Sequence, residues 1–140
     1  MKARLKLIEN VCLMAEAESG HAVVIEGSPE IGGRNRGVRP MEMLLMGLGG
    51  CTSMDVLSIL QKQRQQVTDC IIEIEGDRGE EHPKVFTKIH VHYIIKGRDL
   101  KETHVKRAVE LSAQKYCSVS AMLGKTAEIT HDYEIIEEHA

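Results

Sequence analysis

Among these 140 residues the side chains best suited to chemistry are four cysteines, Cys12, Cys51, Cys70 and Cys117, set far apart with no CxxC pair. A thiolate attacks peroxides and disulfides, binds soft metals, and oxidises reversibly to a sulfenic acid. Cys51 stands in Gly49-Gly50-Cys51-Thr52-Ser53, where the glycines open room for a substrate or a neighbouring backbone to approach the sulfur. A helix restarting at this point would set free N–H groups and a positive dipole end against the sulfur and favour the thiolate. The plainer alternative is a cysteine filling space in an apolar helix. Cys117, at a helix end between Tyr116 and Ser118, could resolve a sulfenic acid on Cys51 by forming a disulfide, which needs Cα atoms within about 7 Å. Taken alone, it too reads more readily as a core residue. Cys70 shares a strand face with Ile72 and Ile74, and Cys12 lies in an apolar strand, so both read as structural.

His90 and His92 are two residues apart on a strand face, a spacing able to ligate a metal. They share that face with Lys88 and Lys96, and no second pair of ligands shows a recognisable spacing, so the face reads as solvated. No phosphate loop, serine elbow, zinc motif or cofactor motif is visible in the sequence.

The elements that must position these residues follow from periodicity. Residues 3–27 read as three short strands, broken at Glu9-Asn10 and at Ser19-Gly20. Residues 27–39 form a loop punctuated by glycines and carrying Arg34, Arg36 and Arg39. Pro40 suits the first position of a helix, where its missing N–H costs nothing. Residues 41–64 are helical in pattern but apolar on nearly every side, as expected of a helix buried by its neighbours. Gly47, Gly49 and Gly50 each cost that helix roughly 1 kcal/mol against Ala, and call for a close approach, a kink or a fresh helix start. Residues 67–76 and 85–96 alternate as a hairpin, with Val85, Thr87, Ile89, Val91, Tyr93 and Ile95 on one face and Phe86, Lys88, His90 and His92 on the other. An amphipathic helix over 101–116, a short helix over 118–123 and a strand over 126–136 complete an α+β order.

Length allows one domain, residues 1–140. The net charge of −3, with acids and bases interleaved, argues weakly against a nucleic-acid partner. The start lacks the apolar run of a secretory signal. No stretch reaches roughly 18 uninterrupted apolar residues. A cytoplasmic address with no membrane partner is the expectation.

The segment from Arg39-Pro40-Met41-Glu42 to Gly49-Gly50-Cys51-Thr52-Ser53 resembles the central-helix motif of the OsmC/Ohr family, and Lys115-Tyr116-Cys117-Ser118-Val119-Ser120 is similar to its second motif. The element order matches over essentially the whole chain, and the GGC version of the first motif looks closest to the YhfA-like subgroup. The resemblance implies antiparallel sheets wrapped around long central helices in an intertwined homodimer. It also implies a thiol-dependent reduction of small organic hydroperoxides, with no cofactor. Cys51 would be the peroxidatic thiol, Cys117 the resolving one, and a dithiol the reductant. Peroxidase members place Glu directly after the helix-starting proline, whereas here Met41 intervenes before Glu42. They also carry an activating Arg near the first strand turn, where this chain has Glu9-Asn10. Glu42 and Arg39 are the candidate activators of Cys51, with Arg34 and Arg36 as alternatives. A non-peroxidase dimer that binds an apolar ligand or senses oxidants, and a structural dimer with vestigial thiols, remain alternatives.

Overall fold

The computed structural model describes residues 1–139, which divide into two compact units, Met1–Leu44 and from Leu45 onward. In the first unit, β1 (Ala3–Glu9), β2 (Cys12–Ala17) and β3 (Ala22–Glu26) form an antiparallel meander. Its turns fall at Asn10 and Gly20, which take positive φ of 48° and 91°, a region Asn tolerates and Gly enters freely. Cys12 is buried, as its strand pattern predicts.

Glu26 folds the loop that follows. Its fully enclosed carboxylate accepts the backbone N–H groups of Arg34 (2.9 Å) and Arg36 (2.7 Å) and the Arg36 guanidinium (3.0 Å). Arg36 also pairs with Glu9. These donors, the Arg36 side chain first, hold the Glu26 carboxyl down at about 2, because each bond favours the charged form. Gly33 is required here: a Cβ on it would stand 1.8 Å from the Gly27 carbonyl oxygen.

Helix α1 (Pro40–Lys62) begins in the first unit and runs on into the second. Pro40 opens it, and the Glu42 carboxylate accepts the Arg39 N–H at 2.8 Å, the reciprocal half of a capping box. The helix passes through Gly47, Gly49 and Gly50 without a break, so of the three explanations these glycines invite, a fresh start before Cys51 does not occur. In the single chain it buries Leu48, Thr52, Val56 and Leu60, a single stripe spaced four residues apart, rather than every face. By length and a mean hydropathy of 1.6, α1 is apolar enough to cross a membrane, despite the Glu, Asp and glycines that interrupt it. Hydroxyl bonds from Thr52 nevertheless tie it to its own unit.

In the second unit, β4 (Gln66–Arg78) and β5 (Phe86–Arg98) form the long antiparallel hairpin, and β6 (Glu128–Glu137) joins β5 in parallel. A parallel pair needs a crossover, here α2 (Glu102–Leu111), a π turn (Ser112–Tyr116) and α3 (Ser118–Leu123). The core is Ile89, Val91, Tyr93 and Ile95 of β5 with Val105, Ala108 and Val109 of α2. Alternation places Val85 inward and Phe86 outward, but the structure reverses them. Phe86 pairs with Arg78 and Lys88 with Asp77, so Thr87 is an extra residue in a bulge. The bulge turns Phe86 into the core and leaves Val85 exposed, since a one-residue slip flips side chains to the other face. The helix expected to run to Tyr116 is α-helical only to Leu111. Beyond it Cys117 N–H reaches back five residues to Ser112 O at 2.9 Å.

Candidate active site

Helix α1 and the end of the π turn bring the site together. On α1, Cys51 and Asp55 are one turn apart and share a face, while Thr52 lies on the buried stripe,. Cys117 leaves the helical path at φ −73°, ψ 104°, and turns the chain into α3, its Sγ accepting the Ser120 N–H at 3.4 Å. Such π turns insert one residue per turn and re-aim the side chains that follow. The result is that Cys51 Sγ, Cys117 Sγ and a carboxylate oxygen of Asp55 all lie within 4.8 Å of one another. Both cysteines are free thiols, Cys117 buried and Cys51 half-buried.

The Cys117 thiol is pushed up to about 11. Burial is the main cause; Ser120 N–H pulls the other way, while Cys51 and the Asp55 charge add to the rise,. At neutral pH Cys117 is therefore protonated. The continuous helix removes the dipole argument for Cys51, because Cys51 lies far beyond the first turn, where that effect is confined.

A chain of hydroxyls ends on Asp55. Ser112 Oγ donates to Asp55 Oδ2 at 2.9 Å. With its one proton used, Ser112 accepts from Thr52 Oγ1 at 2.7 Å, and Thr52 in turn accepts from Tyr93 OH at 2.6 Å,. The order is thus Tyr93 to Thr52 to Ser112 to Asp55, linking β5, α1 and the π turn to the thiol pair. Sequence reasoning missed the three hydroxyls. Their signal was there: Thr52 and Ser112 interrupt apolar helical stripes, and a polar group on a core stripe needs a partner.

The other sequence-based candidates are occupied locally. Glu42 caps α1 through the Arg39 N–H. The Arg39 guanidinium donates to Gly37 O (2.8 Å) and Asn35 Oδ1 (3.1 Å). Arg36 is held by Glu26 and Glu9. Cys70 is half-buried rather than core, lining an open apolar groove with Leu45, Met46, Gly49, Ser53 and Ile74. Gly49 marks a close approach, since a Cβ there would lie 3.0 Å from Ile74 Cδ1. A second opening reaches Asp55 itself, lined by Ile59, Leu111 and Tyr116 together with Ser58, Lys62 and Gln63. Two sulfurs and a carboxylate are also a donor set that a zinc ion accepts, and such an ion would compete with a disulfide.

The family model for OsmC-like protein matches residues 33–132. Protein YhfA of Escherichia coli K12 is 48% identical over 136 residues, 97% of this chain and 98% of that protein. The crystal structure of a hypothetical protein from Aquifex aeolicus VF5 is similar at 31% identity, with a TM-score of 0.87 over 99% of this chain and 97% of that one. An organic hydroperoxide resistance protein OsmC from Legionella pneumophila shares the fold alone, at 16% identity and a TM-score of 0.71 over 95% of each chain. Matched by the family model over most of its length, and by a relative nearly half identical from end to end, the chain belongs to the OsmC-like family.

Proposed function

We propose that this protein reduces small organic hydroperoxides through Cys51 and Cys117, acting as a homodimer in defence against oxidants. The observation that carries the reading is the approach of the two sulfurs, within 4.8 Å at the meeting of α1 and the π turn. Family membership supports a redox or peroxide-defence role at the coarser level.

The steps follow from the positions. Cys51, the less buried thiol, attacks as thiolate on the O–O bond of the hydroperoxide. That bond breaks, the alcohol leaves with a proton, and Cys51 becomes a sulfenic acid. Cys117 then attacks the Cys51 sulfur, its proton leaves with the hydroxyl as water, and a disulfide forms. An external dithiol reduces that disulfide by exchange. With its thiol held at about 11, Cys117 is a weak nucleophile at neutral pH, so closure is expected to be the slower oxidative step. Asp55, within 4.8 Å of both sulfurs, can relay the Cys117 proton to the departing hydroxyl. Ile59, Leu111 and Tyr116 beside Asp55 offer apolar contacts to an alkyl or aryl peroxide, in an opening that also carries Ser58, Lys62 and Gln63,.

Arg39 and Glu42 enter this reading as candidate activators of Cys51 whose contribution is to be measured, Glu42 already serving as the cap of α1. A second reading, a non-peroxidase dimer binding an apolar ligand, is favoured by the groove at Met46, Gly49 and Cys70.

The test treats reduced protein with stoichiometric cumene hydroperoxide and follows intact mass and peptide maps. Loss of two hydrogens mapping to a Cys51–Cys117 bridge, abolished by Cys51→Ser and arrested at the sulfenic acid in Cys117→Ser, is expected. Thiols that stay reduced would remove the peroxidase reading and leave ligand binding.

A further inference from the structure

The β4–β5–β6 sheet carries a cluster that the thiol chemistry does not use. On β5, His90 and His92 are two residues apart and project from one face. In-register parallel pairing with β6 sets Thr130 beside His90 and Asp132 beside His92. One oxygen, Asp132 Oδ1, lies 2.9 Å from His90 Nε2 and 2.7 Å from His92 Nδ1. Both rings are aimed at the same atom. Their outer nitrogens also have partners: His90 Nδ1 is 2.7 Å from Thr130 Oγ1, and His92 Nε2 is 4.0 Å from a Glu134 carboxylate oxygen. On the other flank β4 places Glu73 opposite His92 and Glu75 opposite His90.

We infer that His90, His92 and Asp132 form a binding site for a borderline divalent cation of the zinc class. Two imidazole nitrogens and one carboxylate oxygen match the donor preferences of such an ion, and water completes the tetrahedron. With metal–donor bonds of about 2.0–2.2 Å, neighbouring donors in a tetrahedron lie roughly 3.3 Å apart. The His–Asp pairs already stand close to that spacing, whereas the two ring nitrogens sit on opposite sides of Asp132 Oδ1, farther apart than 4.8 Å, so the half-exposed rings must swing toward each other to admit the ion. On binding, the proton that each ring now shares with Asp132 moves to the ring's outer nitrogen or to solvent. Thr130 accepts the N–H of His90 there, the outer-shell arrangement that fixes tautomer and ring orientation in metal sites, while Glu134 stands 4.0 Å from His92 Nε2, within ion-pair reach but beyond a hydrogen bond,. The carboxylates Glu73, Glu75 and Glu134 favour a cation; Lys88, beside His90 on β5, opposes it. The sequence hid this site because its third ligand is 40 residues away, supplied only by the register of β5 with β6.

The test adds zinc chloride to the protein in two forms. In the Cys51→Ser/Cys117→Ser variant, which removes the competing thiols, calorimetry is expected to show one Zn²⁺ per chain. His92→Ala in that background should abolish saturable binding, and Thr130→Val should weaken it by about 10-fold or more. In the full unmutated chain, imidazole ¹⁵N resonances of His90 and His92 should both shift on zinc addition. Zinc affinity unchanged by His90→Ala/His92→Ala, or imidazole resonances that stay put at saturation, would overturn the assignment.

Discussion

Three hydroxyls donating in series toward one carboxylate make a polarised chain, and its members should not be equivalent to remove. Tyr93 is the terminal donor, so Tyr93→Phe deletes one bond and leaves only a Thr52 lone pair unmet. Thr52→Val keeps the shape but strands the Tyr93 hydroxyl in the core and removes the donor to Ser112. From the cost of a lost bond against that of an orphaned buried group, about 1 kcal/mol is expected for Tyr93→Phe and about 2–3 kcal/mol for Thr52→Val. Urea unfolding of both variants checks the order, and equal losses would mean the hydroxyls do not act in series. Asp55 tests the other end. Its charge adds to the rise of the Cys117 thiol, after burial and the Cys51 contact. Asp55→Asn should therefore lower that pKa and speed alkylation of Cys117 at fixed pH, by up to about the tenfold that one pKa unit represents. An unchanged rate would show that Asp55 does not bear on Cys117, and a slower one that its part in moving the proton outweighs its charge. Taken alone, Cys51 and Cys117 each read more readily as core, and only the family likeness suggested pairing them; Thr52 and Ser112 stood out as polar residues on apolar stripes, but their partners come together only when β5, α1 and the π turn pack.

Local patterns located each strand and helix, since turns at Asn10 and Gly20, Pro40 at a helix start and alternation along β4 are written in adjacent residues. What escaped depended on distant pairing. The bulge that turns Phe86 inward is set by Arg78 on the opposite strand, and the parallel docking of β6 has no sequence signature. The π turn at Ser112–Tyr116 is invisible to a period-3.6 reading, yet it carries Cys117 toward Cys51. Glycines ahead of Cys51 suggested a helix restart, but α1 tolerates them, so the argument for a dipole-stabilised thiolate falls with the restart. Within the first unit, the ordering of the 27–39 loop rests on Glu26, whose folded carboxyl sits at about 2 against an ordinary 4.5. A depressed pKa gives stabilisation that is fully present above the unfolded value and lost as pH falls through the folded one. Acid unfolding should thus include a loss between about pH 4.5 and 2 that disappears in Glu26→Gln. Carboxyl ¹³C titration of Glu26 reads the same event directly, and a midpoint near 4.5 would show the enclosure is looser than described.

At the scale of the whole molecule, α1 leaves two glycines without a return. A Cβ on Gly47 or Gly50 would meet nothing within 4 Å, yet each costs the helix about 1 kcal/mol against Ala. Met46 and Met54, about two turns apart on the same helix, are 56% and 66% exposed, large apolar side chains on a helix whose apolar surface a stable monomer would be expected to cover. Both features make sense if a second copy packs closely over this helix, with the glycines admitting its backbone and the methionines adapting to it. The two possibilities predict opposite results for Gly47→Ala/Gly50→Ala. On a free surface the pair should raise stability by about 2 kcal/mol and leave sedimentation alone. Packed against a partner, the added methyl groups should clash, and sedimentation over a concentration series should show weakened self-association with no such gain. The second outcome is expected. It would also place a partner surface beside Gly50 and so next to Cys51, in which case the same variant should slow oxidation of Cys51 by cumene hydroperoxide more at low protein concentration than at high.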